Sequence, residues 1–169
     1  VFLGPSLCRD RAEETRQAEW RPPARRADAY RAAQDGAQII VLIHSVFFQY
    51  SSVAHQEFIY ALAAGARVLG ASSMGALRAS ELDVYGMEGV GLIYQAYKKG
   101  MLVSDDEVAL TFDPSTFEPH SEPLVNIRFN LEQAWQKGAT GTVGRHLVSR
   151  LHHAGHQVRA LTRNPARAA

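Results

Sequence analysis

The sequence predicts an α/β fold: an open, mostly parallel sheet with flanking helices, followed by a C-terminal helix–strand appendage. Three observations predict it. Ile39-Ile40-Val41-Leu42-Ile43 is a continuous, largely β-branched apolar run, the pattern of a parallel strand buried on both faces. Strand-like runs then alternate with helical patterns, which calls for crossover connections. Finally, the small residues of Ala71-Ser72-Ser73-Met74-Gly75 separate an apolar run from a good helix former, as a sharp strand-to-helix turn requires.

In order along the chain, Val1-Phe2-Leu3 predicts a short buried strand closed by Gly4-Pro5. The next segment interleaves Arg9, Arg11, Arg16, Arg21, Arg25 and Arg26 with Asp10, Glu13, Glu14 and Glu19. It reads either as a solvated helix and loop with local ion pairs or as a basic rim around an anionic site that uses Arg25 and Arg26. Pro22-Pro23 stiffens the loop that presents them. Asp28 is placed to cap a helix over 29–34, with Gly36 as its stop. After the 39–43 strand, an amphipathic helix over 53–64 stops at Gly65, 67–70 is the next strand, and 74–82 the next helix. Residues 89–99, GVGLIYQAYKK, predict a further helix ended by Gly100, with Tyr94 and Tyr97 as packing residues. Asp105-Asp106-Glu107 precedes a strand or short helix over 108–112. A loop with Pro114, Pro119 and Pro123 follows, and 124–136 forms the last helix of the domain. This order gives a Rossmann-like three-layer arrangement, in which ligands bind beyond the carboxyl ends of the strands. Those ends are Gly4-Pro5-Ser6, His44-Ser45 and Ala71-Ser72-Ser73.

The 169 residues suffice for one domain with a real core, and 46% hydrophobic with 21% charged residues is ordinary for a soluble globular protein. A formal charge of +1 gives no strong overall field, so nucleic acid is not an expected partner. That balance hides an asymmetry: residues 137–169 hold six Lys/Arg and no acid, whereas 1–136 hold 12 Lys/Arg and 17 Asp/Glu. The single cysteine, Cys8, has no internal disulfide partner, which fits a reducing cytoplasm. No apolar run approaches the roughly 18 residues needed to cross a membrane, and no signal-peptide pattern is visible. The chain begins without methionine inside an apolar run, as a fragment of a longer product would.

The serine turn is the centre of the candidate chemistry. Ser73, with Ser72 beside it, stands where a relaxed nucleophile elbow places its serine, and equally where a helix takes its N-cap. A serine nucleophile needs a base and N–H donors for the oxyanion. The helix beginning near Met74 supplies donors, His55 or His44 supplies a base, and Asp105, Asp106 or Glu107 orients it. Those three acids read alternatively as a solvated or capping run. His55 and Glu57, at i and i+2, do not share a helical face, so paired metal ligation is not expected. Arg78 either binds a carboxylate or pairs with Glu81 or Glu57. The candidate catalytic residues are thus Ser73, His55 and Ser72. The candidate substrate- or anion-binding residues are Ser6, Arg78, Glu57, Arg25, Arg26, Asp105, Asp106 and Glu107. No cofactor and no metal is expected.

Two resemblances add to this reading. The blocks Val1-Phe2-Leu3-Gly4-Pro5-Ser6-Leu7, Arg21-Pro22-Pro23-Ala24-Arg25-Arg26 and Val53-Ala54-His55-Gln56-Glu57 recur in order. They continue with Gly70-Ala71-Ser72-Ser73-Met74-Gly75-Ala76-Leu77-Arg78-Ala79, Gly86-Met87-Glu88-Gly89-Val90-Gly91, Asp105-Asp106-Glu107-Val108-Ala109-Leu110 and Ser121-Glu122-Pro123-Leu124-Val125-Asn126-Ile127-Arg128. Together they resemble the core of the TfuA-like proteins over roughly residues 1–130, here taken as a 1–136 domain. One departure is Ile43-His44-Ser45, where that family usually reads Ile-Asp-Gly. The resemblance implies an accessory role in peptide backbone thioamidation. Its partners would be a YcaO-type cyclodehydratase and a thiocarboxylated sulfur-carrier protein, from which sulfide is released by hydrolysis. A non-catalytic adaptor that docks carrier and partner is the alternative.

Residues 137–169 differ in character. Gly138-Ala139-Thr140-Gly141-Thr142-Val143-Gly144-Arg145-His146-Leu147-Val148 and Gly155-His156-Gln157-Val158-Arg159-Ala160-Leu161-Thr162-Arg163-Asn164-Pro165 resemble the start of NmrA-like, atypical short-chain reductases. The polar helical pattern before the glycines supplies no first strand, so an incomplete NAD(P)-binding-like segment that does not bind NADP is expected. An NADP-binding reductase fragment is the remaining alternative.

Overall fold

The structure, a computed structural model, describes residues 1–46 and 51–136. Its sheet has three parallel strands in the order β1-β2-β3 among the described residues: β1 (Ile39–Leu42), β2 (Arg67–Ala71) and β3 (Glu88–Val90). Ile40 lies opposite Val68 and Leu42 opposite Gly70, while Gly70 in turn faces Gly89 on β3. Helices α1 (Arg9–Thr15) and α2 (Asp28–Gln34) precede β1. Helix α3 (His55–Ala63) connects β1 to β2, and α4 (Met74–Leu82) leads from β2 toward β3. Helix α5 (Leu92–Lys98) follows β3, and α6 (Leu124–Gln136) comes last. The result is an open, parallel α/β sheet of the Rossmann-like three-layer kind.

The chain divides into two compact units, Val1–Val125 and Asn126–Ala169. The sheet and its packing belong to the first. In the second, the described residues continue α6 to Gln136. The expected helix–strand appendage over 137–169 and its glycine motif lie outside the described residues.

Local differences from the sequence expectation have clear causes. Val1-Phe2-Leu3 forms no full strand. Phe2 is instead a single extended rung between Arg21 and Leu42, with its N–H donating to the Val41 carbonyl at 2.8 Å. Strand β1 is not buried on both faces: Ile40 and Leu42 are buried, whereas Val41 is half-buried and Ile39 is 58% exposed. Residues 88–90 pair with β2 before the helix begins at Leu92, so the expected 89–99 helix is shorter by one short strand. Three residues containing a central glycine carry too little periodicity to announce a strand. Residues 105–107 make a 3₁₀ turn, and Phe112 bridges Pro119 in place of a strand.

The main core gathers Phe2, Leu42, Phe58, Val68, Leu82 and Met87 from every layer. A second cluster joins Met74 and Leu77 of α4 to Val108, with Ile93, Tyr97 and Val125 against it. Helix α4 approaches the sheet backbone directly. A Cβ on Gly75 would lie 1.9 Å from the Leu42 carbonyl oxygen, and one on Gly70 would lie 2.1 Å from the Gly75 carbonyl oxygen. Both contacts are with backbone, which cannot move aside as a side chain can. Gly75→Ala is therefore expected to destabilise the fold by about 2–3 kcal/mol, at the upper end of overpacking costs, measured by urea denaturation; a loss below about 0.5 kcal/mol would contradict this packing.

Candidate functional site

The carboxyl ends of β1 and β2 and the starts of α3 and α4 define the candidate site. The chain must reverse between Ala71 at the end of β2 and Met74 at the start of α4, with two residues for the turn. Ser72 takes the left-handed conformation this demands, with φ +59°, an unfavourable position for a residue with a side chain. Its side chain is half-exposed, and its hydroxyl has no hydrogen-bond partner among the described residues. Ser73 differs. It is 4% exposed, and its Oγ donates to the Val108 carbonyl at 2.8 Å. That bond fastens the segment after the acidic run to the head of α4. Neither serine side chain caps the helix, and its first turn holds no acid. The α4 N-terminus thus keeps its free N–H groups and positive dipole end available to a ligand.

His55 is the first residue of α3. Its Nε2 lies 2.8 Å from Glu81 Oε2 on α4. Arg78 Nη1 reaches the same carboxylate oxygen at 2.5 Å and stands 3.3 Å from His55 Nε2. A 2.8 Å contact with a carboxylate requires a proton on Nε2, so in neutral His55 Nε2–H donates to Glu81 and Nδ1 is left as the proton acceptor. The Arg78 contact with the ring is then proximity, and its guanidinium pairs with Glu81; the Arg78 side chain as a whole is only 12% exposed. Glu81 was legible in the sequence only as one possible partner of Arg78, since the His55 contact spans 26 residues.

The other candidates have distinct positions. Glu57, 7% exposed, turns back along α3, where its Oε1 accepts the Ala54 N–H at 3.0 Å; its Oε2 has no partner among the described residues. Asp105, Asp106 and Glu107 form the 3₁₀ turn, which Ser104 caps by accepting the Asp106 N–H. Asp105 and Asp106 are exposed, and the carboxylate that contacts His55 is Glu81. Ser6 is exposed in the turn after Phe2. Arg25 and Arg26 are exposed beside α2; Arg26 Nε donates to the Ser52 carbonyl, and the Arg25 N–H donates to Asp28. Asp28 thus organises the turn before α2 rather than capping a helix that begins at Ala29.

His44 is the other candidate base. It is 2% exposed, packs edge-on against Phe112, and presses so closely on Gly4 that a Cβ there would lie 2.7 Å from the ring. Its Nδ1 has no partner among the described residues. Burial pushes its pKa down from 6.5 to about 4, so the ring is neutral at pH 7. In the unfolded chain the imidazole takes up a proton below about pH 6.5, while the folded chain resists until about pH 4. This contribution to stability is therefore complete above pH 6.5, declines as the pH falls toward 4, and is flat below. Its size is on the order of 3 kcal/mol. Chemical denaturation at pH 7, 5.5 and 4.5 should show that decline, and the His44→Phe variant should show a shallower one; parallel curves would exclude His44 as a source.

No helix among the described residues is long and apolar enough to cross a membrane. A comparison with curated proteins finds no match. Residues 44–160 match the family described as TfuA-like protein. The match begins at His44, includes the serine turn, His55, Arg78 and Glu81, and runs past position 137. It gives no support to a separate NmrA-like reductase segment beginning there, because one family accounts for both sides of the expected join. With well over half of its length matched, the chain belongs to the TfuA-like protein family.

Proposed function

We propose that the chain is an accessory protein of YcaO-dependent peptide backbone thioamidation that supplies sulfur by hydrolysing a thiocarboxylated sulfur-carrier protein. Membership of the TfuA-like family supports an accessory role in thioamidation. The observation that carries the hydrolytic reading is Ser72: a left-handed serine whose hydroxyl has no partner among the described residues, at a strand-to-helix turn that opens onto a helix N-terminus without a side-chain cap. Ser73 is the poorer nucleophile, because its hydroxyl proton is committed to the Val108 carbonyl.

In this reading Ser72 Oγ attacks the carbonyl carbon of the thiocarboxylate and passes its proton to His55 Nδ1. The α4 N–H groups hold the oxyanion. His55 returns that proton to sulfur as the carbon–sulfur bond breaks, so sulfur leaves as hydrosulfide and an ester on Ser72 remains. Water then attacks the ester, His55 takes its proton and passes it to Ser72 Oγ, and the carrier leaves as the free acid, which ionises to a carboxylate. Glu81 positions His55 and stabilises its imidazolium, as the carboxylate of a serine triad does, while Arg78 fixes Glu81. Arg78 in this role is a positioning residue rather than a substrate clamp.

A second reading, a non-catalytic adaptor that docks carrier and cyclodehydratase, is favoured by the apolar residues exposed on and beside β3: Val84, Tyr85, Val90 and Leu92. The two readings separate in an assay of sulfide released from a thiocarboxylated carrier, with and without the YcaO partner. The hydrolase releases sulfide alone; the adaptor only raises thioamidation when the partner is present. For the hydrolase, Ser72→Ala should lower release by about 10³-fold or more. Ser73→Ala should keep release within a few-fold while costing about 1–2 kcal/mol of stability, since Val108 loses a buried donor. The reverse pattern in folded variants would move the nucleophile to Ser73.

A further inference from the structure

His55, Arg78 and Glu81 meet at one atom. Glu81 Oε2 lies 2.8 Å from His55 Nε2 and 2.5 Å from Arg78 Nη1, and the two nitrogens stand 3.3 Å apart. The ring nitrogen can serve either neighbour, but not both in the same state. With a proton, Nε2 donates to Glu81, and Nδ1 is the bare nitrogen of the neutral ring. Without one, Nε2 can accept from Arg78, whose guanidinium only donates, and Nδ1 carries the proton instead. The two neighbours of the ring are not held equally. The Arg78 side chain is 12% exposed and the Glu81 side chain 37%. Glu81 is therefore the member that water or a cation can draw away. Arg78 is the more enclosed, and a donor with little water to turn to is costly to leave unpaired. When Glu81 moves off, an acceptor already stands 3.3 Å from Arg78 Nη1, and it is His55 Nε2.

We propose that Glu81 and Arg78 form a tautomer selector for His55: Glu81 keeps the proton on Nε2 and leaves Nδ1 bare, and Arg78 turns the ring to the opposite tautomer when Glu81 lets go. Arg78 is thus a positioning residue with two settings. With Glu81 in place it fixes the carboxylate against the ring; with Glu81 displaced it becomes the ring's own partner, as a donor. In the second setting Nδ1 carries a proton and has no lone pair for the hydroxyl of a serine, so the base is switched off. In a serine triad the wrong tautomer alone costs about 10⁴ in kcat. His55 opens α3, whereas Arg78 and Glu81 lie on α4, so the setting depends on how the two helices meet. This deepens the reading of His55 as the base, and rests on that reading for its effect on catalysis but not for the tautomers themselves.

The test reads the ring directly. The full chain, ¹⁵N-labelled at histidine, is followed in long-range ¹H–¹⁵N spectra at about pH 9, above the ordinary imidazole range. The His55→Gln variant identifies the His55 signals among those of the seven histidines. The parent should show Nε2–H with Nδ1 bare. Glu81→Ala, a change at a partly exposed helix position where alanine is well tolerated, should show Nδ1–H as the major form. Arg78→Met alone should keep Nε2–H, and adding it to Glu81→Ala should abolish the preference for Nδ1–H. Sulfide release from a thiocarboxylated carrier should fall about 10³-fold or more in Glu81→Ala. It should recover at least about tenfold when Arg78→Met is added, since the second change removes the group that imposes the wrong tautomer. Thermal melts verify that each variant is folded. Nε2–H persisting in folded Glu81→Ala, or Nδ1–H persisting in the folded double variant, would overturn the selector. The tautomer change without any sulfide release by the parent keeps the selector and sinks the hydrolase. Release that falls in Glu81→Ala with no change of tautomer does the reverse.

Discussion

The contact between the first turn of α4 and the end of β1 governs the geometry of everything around it. Gly75 has no side chain, and the space where one would begin is filled by the Leu42 carbonyl. Gly70 on β2 permits the same intimacy from below, with the Gly75 carbonyl and the Ala79 methyl in the place of its missing Cβ. Because the helix lies this close, the chain has only Ser72 and Ser73 in which to leave β2 and enter α4. The sharpness of that turn forces a left-handed residue, and the backbone strain falls on Ser72. The free helix end, the strained serine and the loop after β1 are therefore consequences of one packing arrangement. Any residue larger than glycine at position 75 would separate them.

Much of this was legible in the sequence because it is local. The run 39–43 and the boundaries of α4 and α6 follow from apolar periodicity and from breakers, and the structure reproduces α4 and α6 residue for residue. What was not legible depends on long-range contact. Strand β3 exists because Gly70 and Gly89 meet across the sheet, and a three-residue segment cannot advertise that pairing. The elbow motif identifies two adjacent serines but not which one is free. That is decided by Val108, 35 residues later, whose carbonyl accepts the hydroxyl of Ser73. In the same way Glu81 is readable as a neighbour of Arg78, three residues away, but its hold on His55 appears only when α3 and α4 are laid side by side. The acidic run reads from sequence either as a solvated or capping run or as part of a site; in the structure it is a capped 3₁₀ turn with Asp105 and Asp106 exposed.

The two histidines near the carboxyl edge are specialised by their surroundings in opposite ways. His55 is partly exposed and its Nε2 touches the Glu81 carboxylate, which leaves Nδ1 as the acceptor of the neutral ring. His44 is sealed between Gly4 and Phe112 with no charged group contributing to its pKa, and burial alone keeps it neutral. An imidazole held near pKa 4 is a weak base at pH 7. It can still donate a hydrogen bond at any pH where the fold is intact. The environments of the two thus differ: one histidine lies against a carboxylate, and the other is sealed against Gly4 and Phe112, where a charged ring is disfavoured by burial.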